Sequence, residues 1–129
     1  MQPQLPKHKG DTAAVANLNN YSYKQVKPIV PELLTWLQDL NWPVAGPIAL
    51  YLQSITEHIT DDIIVILKGK DEVWKYWLVL VFGTNATAPI TPKLMAEFKR
   101  IATQPTKAEI AEETQELALE VIKKMNTKT

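Results

Sequence analysis

The sequence predicts an all-α fold: a short α-α superhelix of about two to three helix pairs with a closing helix at the C-terminal end. Three observations lead there. Apolar residues recur at helical spacing, as at Val30, Leu33, Leu34 and Leu37. Residues able to cap a helix N-terminus stand before most of the apolar runs, at Asp11, Ser22, Thr60 and Thr106. Lastly, an apolar helix, a short acidic turn and a second apolar helix occur in that order twice, once over 30–52 and once over 63–82. A spacing of roughly thirty residues is the period of helical repeats.

Asp11 predicts the start of a short helix ending near Leu18, where Asn19 and Asn20 break it. Ser22 predicts one turn of helix to Lys27, before Pro28. The helix from Val30 carries Pro31 in its first turn, where a missing N–H is tolerated, and stops at Asp39-Leu40-Asn41. Pro43 predicts the next N-terminus, with Val44, Ile48, Tyr51, Leu52 and Ile55 facing inward. Pro47 is expected to kink that helix by removing one ladder bond. Thr60, followed by Asp61 and Asp62, reads as a capped N-terminus leading into Ile63, Ile66 and Leu67.

From Asp71 to Phe82 only Asp71, Glu72 and Lys75 make a polar sector, which predicts a helix packed on several sides with those three outward. Ile63–Leu67 and Trp77–Phe82 are rich enough in β-branched and aromatic residues to be read as buried strands. The neighbouring caps and the absence of hairpin turn pairs favour helix. Gly83 to Pro89 reads as a loop, and Thr91-Pro92 opens a helix with Leu94, Phe98, Ile101 and Ala102 inward. Pro105 ends it. Thr106 and Glu109 have the spacing of a capping box for one last helix, with Ile110, Thr114, Leu117, Val121 and Met125 as its inner stripe. Five glutamates fall on its outer face, with Lys123, Lys124 and Lys128 near the end that favours cations.

A chain of 129 residues is one domain by length. Within it the pattern separates an extended arm over 1–10, the tandem pair over 30–82 and a C-terminal pair over 91–125. Lysine plus arginine equals aspartate plus glutamate at 14 each, so no overall charge draws the chain to nucleic acid or anionic lipid. The balance is uneven locally. Lys7, Lys9, Lys24 and Lys27 face a single acid, Asp11, in residues 1–30, whereas residues 31–92 hold seven acids and three lysines. The absence of cysteine excludes disulfides, thiol nucleophiles and cysteine-ligated metals. The N-terminal residues have no apolar signal core, and the longest uncharged stretches are too short to span a bilayer. These features lead to the expectation of a cytoplasmic protein with no membrane contact.

Candidate chemistry is sparse. Trp74-Lys75-Tyr76-Trp77 could stack a planar ligand, but its spacing is that of a core helix. His58 and Asp62 share a helix face near Glu57 and Asp61, yet a metal needs three or four ligands and only two are arguable. No nucleophile elbow, phosphate-binding glycine loop or zinc-protease motif occurs. No enzyme activity, cofactor or metal is therefore expected. The turn residues carry more than a connector requires: Asp39, Asn41 and Trp42 in one, Asp71 and Lys75 at another, and Lys7 with His8 in the arm. These seven are the candidate binding residues, and the partner expected of them is another protein or a peptide.

Several blocks resemble one family. They are Leu5-Pro6-Lys7-His8-Lys9 with Asp11, Pro31-Glu32-Leu33-Leu34 with Trp36-Leu37-Gln38-Asp39, and Asn41-Trp42-Pro43-Val44-Ala45. Asp71-Glu72-Val73-Trp74-Lys75-Tyr76-Trp77 and Ile101-Ala102 with Pro105, Thr106 and Glu109 complete the set. Together, over residues 5 to 122, they resemble the bacterial family known as domain of unknown function 5071. The resemblance implies a small helical protein similar to HEAT-type repeats, and it implies no activity and no site residues. Surfaces of stacked helix pairs mostly bind proteins or peptides. The function expected is therefore a non-catalytic interaction module, an immunity or antitoxin protein being one form of it. A nucleic-acid binder is one alternative. The other is a small-molecule binder or enzyme using Glu57, His58 and Asp62.

Overall fold

Nine α-helices, some continued by a short 3-10 turn, build the computed structural model, which describes residues 3–127. No strand is present among the described residues, so Ile63–Leu67 and Trp77–Phe82 are helical. Lys128 and the first two residues of the arm lie outside the described residues.

Local signals set the first elements. The Asp11 side chain accepts from the Ala14 N–H and so caps α1 (Thr12–Ala16), which runs on as a 3-10 turn to Asn20. Ser22 and Gln25 form a complete capping box at α2 (Tyr23–Val26). α3 (Val30–Thr35) carries Pro31 in its first turn and tightens into a 3-10 turn ending at Gln38. The arm before α1 is held down rather than free: Pro3 and Pro6 are buried, and Lys9 C=O accepts from the Val44 N–H at 2.9 Å.

Two expected boundaries move. α4 (Ala45–Ser54) begins two residues after Pro43, which places Pro47 in its first turn. The first N–H groups of a helix have no intrahelical partner, so Pro47 costs no ladder bond there. α5 (Thr56–Leu67) begins at Thr56, and Thr60 lies inside it. Instead of capping, the Thr60 hydroxyl donates back to Thr56 C=O at 2.9 Å and meets the Thr91 hydroxyl at 2.9 Å. That second contact joins α5 to the start of α7 (Pro92–Thr103).

α6 (Glu72–Val79) is capped by Asp71, whose side chain accepts from the Trp74 N–H. It is less uniformly buried than its composition predicts, because Val73 is 55% exposed and Lys75 is buried. Past Val79 the helix widens into a π turn over Leu80–Thr84, which occupies the first residues of the expected loop. Gln53 of α4 holds this turn: its amide donates to Val81 C=O at 2.7 Å and Asn85 C=O at 2.9 Å, and it accepts from the Thr87 hydroxyl. Trp74 Nε1–H donates to Leu34 C=O at 3.0 Å, satisfying a carbonyl near the end of α3.

The C-terminal segment departs most from its periodicity. It is two helices, α8 (Lys107–Ala111) and α9 (Thr114–Thr127), with Glu113 between them at φ 66°. Ile110 is consequently 53% exposed, Met125 is exposed, and only Thr114, Leu117 and Val121 of the expected stripe are buried. Of the five glutamates expected outside, Glu109 is fully buried. α9 packs on α7, α6 and the π turn and closes the core around Phe82, Phe98 and Ile101.

Gly83 marks the tightest approach. A Cβ there would lie 2.7 Å from Val121 Cγ2 and 3.2 Å from the Phe98 ring. Gly83→Ala is expected to destabilise the protein by about 1–3 kcal/mol through overpacking. Gly46 of α4 has nothing within 4 Å of the same position. Gly46→Ala should be neutral or stabilising by up to about 1 kcal/mol. Urea unfolding of both variants checks the pair, and equal effects would contradict the packing described.

Candidate functional site

Lys75 lies one turn into α6, on the side facing α7 and α8, and is only 2% exposed. Its ammonium lies 2.7 Å from Glu109 Oε2 and donates to Glu72 Oε2 and Gly69 C=O, both at 3.3 Å. All three of its donors are thus engaged, which leaves none for a ligand. Arg100 of α7 reaches the same carboxylate from the other side. Its two terminal nitrogens bond Glu109 Oε1 and Oε2 at 2.7 and 2.9 Å, and Nε and Nη2 bond Glu97 Oε1 at 2.9 and 2.7 Å. The Thr106 N–H adds a bond to Glu109 Oε1 at 2.8 Å.

Glu109 therefore has two roles. It is the expected capping-box glutamate of α8, and it is also the buried centre of a network joining α6, α7 and α8. Burial alone would raise its carboxyl pKa. The bonds from Arg100, Lys75 and the Thr106 N–H outweigh that and lower it from 4.5 to about 2. The same pairing raises the Arg100 pKa. Three carboxylates (Glu72, Glu97, Glu109) meet two cations, so one negative charge stays uncompensated. Glu72 is the member least well served. Its Oε1 lies 3.2 Å from Lys75 Nζ without hydrogen-bond alignment, although it is shut off from solvent.

This network places α6 beside the α8–α9 junction. Between them is a cavity of about 200 Å³ lined by Glu72, Val73, Tyr76, Trp77, Glu112 and Glu113. The Tyr76 and Trp77 rings meet edge to face at 5.4 Å and 80°. Neither Glu112 nor Glu113 has an ion-pair partner among the described residues.

The other sequence candidates lie apart from this cleft. The Lys7 N–H donates to the Asp11 side chain, which with the Ala14 bond holds that carboxyl below its usual pKa. His8 Nδ1 accepts from the Gly10 N–H. Asp39 accepts from the Asn41 N–H at 2.8 Å in an Asx turn, and Trp42 packs partly buried, edge to face, on Trp36. Asp71 is occupied as the α6 cap. Three of the seven candidates thus shape turns or caps through Asp39, Asn41 and Asp71, and the structure brings only Asp71 and Lys75 near the cleft.

A second concavity groups Glu57, His58, Thr60, Asp61, Thr91, Pro92 and Lys93. Its polar groups are largely committed to one another: Lys93 lies 3.4 Å from Asp61, Thr60 bonds Thr91, and His58 stacks on Tyr23 at 4.5 Å. Among the described residues no three histidine, aspartate or glutamate side chains are grouped to hold a metal ion. Nor is any described helix long and apolar enough to cross a membrane.

The family described as domain of unknown function (DUF5071) matches residues 4–122. The chain belongs to that family. Among curated proteins none matches it. The DUF5071 match takes in nearly all of this sequence and includes every residue of the buried network and the cleft.

Sequence reasoning placed Lys75 on the outer side of α6 and missed Glu97, Arg100, Glu112 and Glu113 as parts of one site. One signal was available: Glu109 has capping-box spacing, and a box glutamate folds back toward its own helix start, where Arg100 stands nine residues earlier.

The lowered Glu109 pKa predicts acid sensitivity of a definite sign. Between about pH 2 and 4.5 the unfolded chain binds the proton that the folded chain refuses, so stability rises with pH across that window. The contribution is present above about 4.5, amounts to about 3 kcal/mol, and is lost as pH falls toward 2. Glu109→Gln should abolish this part of the pH dependence and cost about 3–5 kcal/mol at neutral pH, because it replaces the carboxylate that Lys75 and Arg100 share with a neutral amide. Urea unfolding of both proteins at a series of pH values measures it.

Proposed function

We propose that this protein is a non-catalytic protein-binding module that engages its partner along the cleft between α6 and the α8–α9 junction. The observation that carries this reading is the exposure of Val73 and Ile110 on the two helices joined by the Lys75–Glu109 bridge. Single exposed apolar side chains are common, and what favours association at this face is their occurrence on the two helices that also supply an acidic rim and two aromatic rings. Here the rim is Glu72, Glu112 and Glu113, with Tyr76 and Trp77 in the wall. Aromatic walls and apolar centres are what protein interfaces favour.

What supports binding over catalysis is how the polar groups are used. Glu97, Arg100, Lys75 and Glu109 satisfy one another, and Gln53 is bonded to backbone, so these buried groups act as fasteners. The acidic rim favours a protein partner over a nucleic acid, whose phosphates it would repel.

The test is a quantitative capture of binding proteins from cells that express this chain. Val73→Asp with Ile110→Asp should remove the specific partner at least tenfold, about 1.4 kcal/mol. Leu50→Asp, a control at an equally exposed apolar site on α4, should retain it. Equal retention by both variants would overturn the assignment of this face.

A further inference from the structure

We propose that the cleft is an arginine socket: it receives the guanidinium of an arginine side chain from the partner, between the Tyr76 and Trp77 rings and the carboxylates of Glu72, Glu112 and Glu113. This inference rests on the binding surface described above and names the chemistry of its occupant. Size is the first argument. At about 200 Å³ the cavity is below the roughly 300–1,000 Å³ of sites that enclose a free metabolite, and it has the capacity of one side chain.

Charge is the second. Three carboxylates line the cavity and no lysine or arginine does. The nearest cation, Lys75, is already shared among Glu109, Glu72 and the Gly69 C=O. The network is itself one cation short, and the shortfall falls on Glu72, whose buried Oε1 has no hydrogen bond. An incoming cation would offset that surplus negative charge through space rather than by bonding the enclosed oxygen.

Ring geometry is the third. Tyr76 and Trp77, whose planes meet at 80°, both line the cavity, and a planar cation stacked on an aromatic face keeps its edge free for carboxylates. A guanidinium meets both demands, stacking flat and donating in a fork, whereas an ammonium is a hydrated point charge without a plane to stack. Val73 and Ile110, exposed on the two flanking helices, suit apolar neighbours of that arginine. Glu113 adds a local observation: it sits at φ 66°, where glycine would be less strained, and it is one of the residues lining the cavity.

The test is an NMR titration of the full chain, labelled with ¹⁵N, using acetyl-Leu-Arg-Leu-amide. Its citrulline counterpart is the same size and planar but uncharged, and a lysine counterpart keeps the charge without the plane. Saturable shifts are expected at the Trp77 indole N–H and the Glu112 and Glu113 amides, with a dissociation constant of roughly 1 mM for so small a probe. The citrulline peptide should not saturate, and the lysine peptide should bind several-fold more weakly. Glu112→Gln with Glu113→Gln, two exposed changes, should weaken arginine binding roughly tenfold while the rest of the spectrum stays in place. No saturable shift, equal binding of citrulline or lysine, or undiminished binding by the double variant would each overturn the arginine assignment. Such a failure, with partner capture still lost in the Val73→Asp, Ile110→Asp protein, would leave the binding face standing and remove only its occupant. Loss of neither would remove both.

Discussion

The carboxylate of Glu109 is the constraint around which this protein is arranged. It has no exposure to solvent, and it takes hydrogen bonds or ion pairs from Arg100 on α7, Lys75 on α6 and the backbone at the start of α8. Bringing such a group out of water is costly, and the return from its partners depends on geometry. Here the geometry is strong: a bidentate guanidinium, a lysine at 2.7 Å and a backbone N–H at 2.8 Å. Networks of this kind add little net stability compared with an apolar core of equal volume, but losing one member is expensive. Their effect is to specify how the three helices sit against one another.

That specification explains the break in the last helix. A continuous helix from Lys107 onward would turn Ile110 inward with Thr114, Leu117 and Val121, and would carry Glu109 off that face. The chain instead buries Glu109, leaves Ile110 exposed and reverses through Glu113 in the left-handed region. Burying one isoleucine is worth about 1.5–3 kcal/mol. Leaving the buried Lys75 and the half-buried Arg100 without their shared carboxylate would cost more. The stronger demand sets the path, and α9 is then free to pack on α7 and beneath Gly83.

The cleft follows from the same arrangement. Because Lys75 is drawn toward Glu109, α6 turns Val73 outward and lines up Glu72, Tyr76 and Trp77 against the α8–α9 junction. The exposed apolar side chains, the uncompensated charge and the aromatic walls are therefore by-products of one packing solution, collected at one place. A fold held by its buried charges leaves this surface available without loss of stability elsewhere.

Much of the helical content could be read from the chain itself, since caps and periodicity act within a few residues. Asp11, Ser22, and Thr106 with Glu109 cap as their spacing predicts, and Leu94, Phe98, Ile101 and Ala102 face inward as their period predicts. Signals that admit two local solutions were less informative. Thr60 can cap a helix or bond back within one, and the latter occurs because α5 starts earlier, at Thr56. Pro47 kinks a helix interior and is harmless in a first turn. The candidate site was legible only at its edge, through Asp71 and Lys75. The sequence by itself determined that the chain is helical, where most helices begin and which residues form the core, because those depend on neighbours along the chain. Which side of α6 faces inward, where the last helix breaks and which carboxylates share the cleft were decided only by the tertiary structure. The physical reason is that a buried charge takes its position from partners far away in sequence, and local spacing cannot show whether those partners will be there.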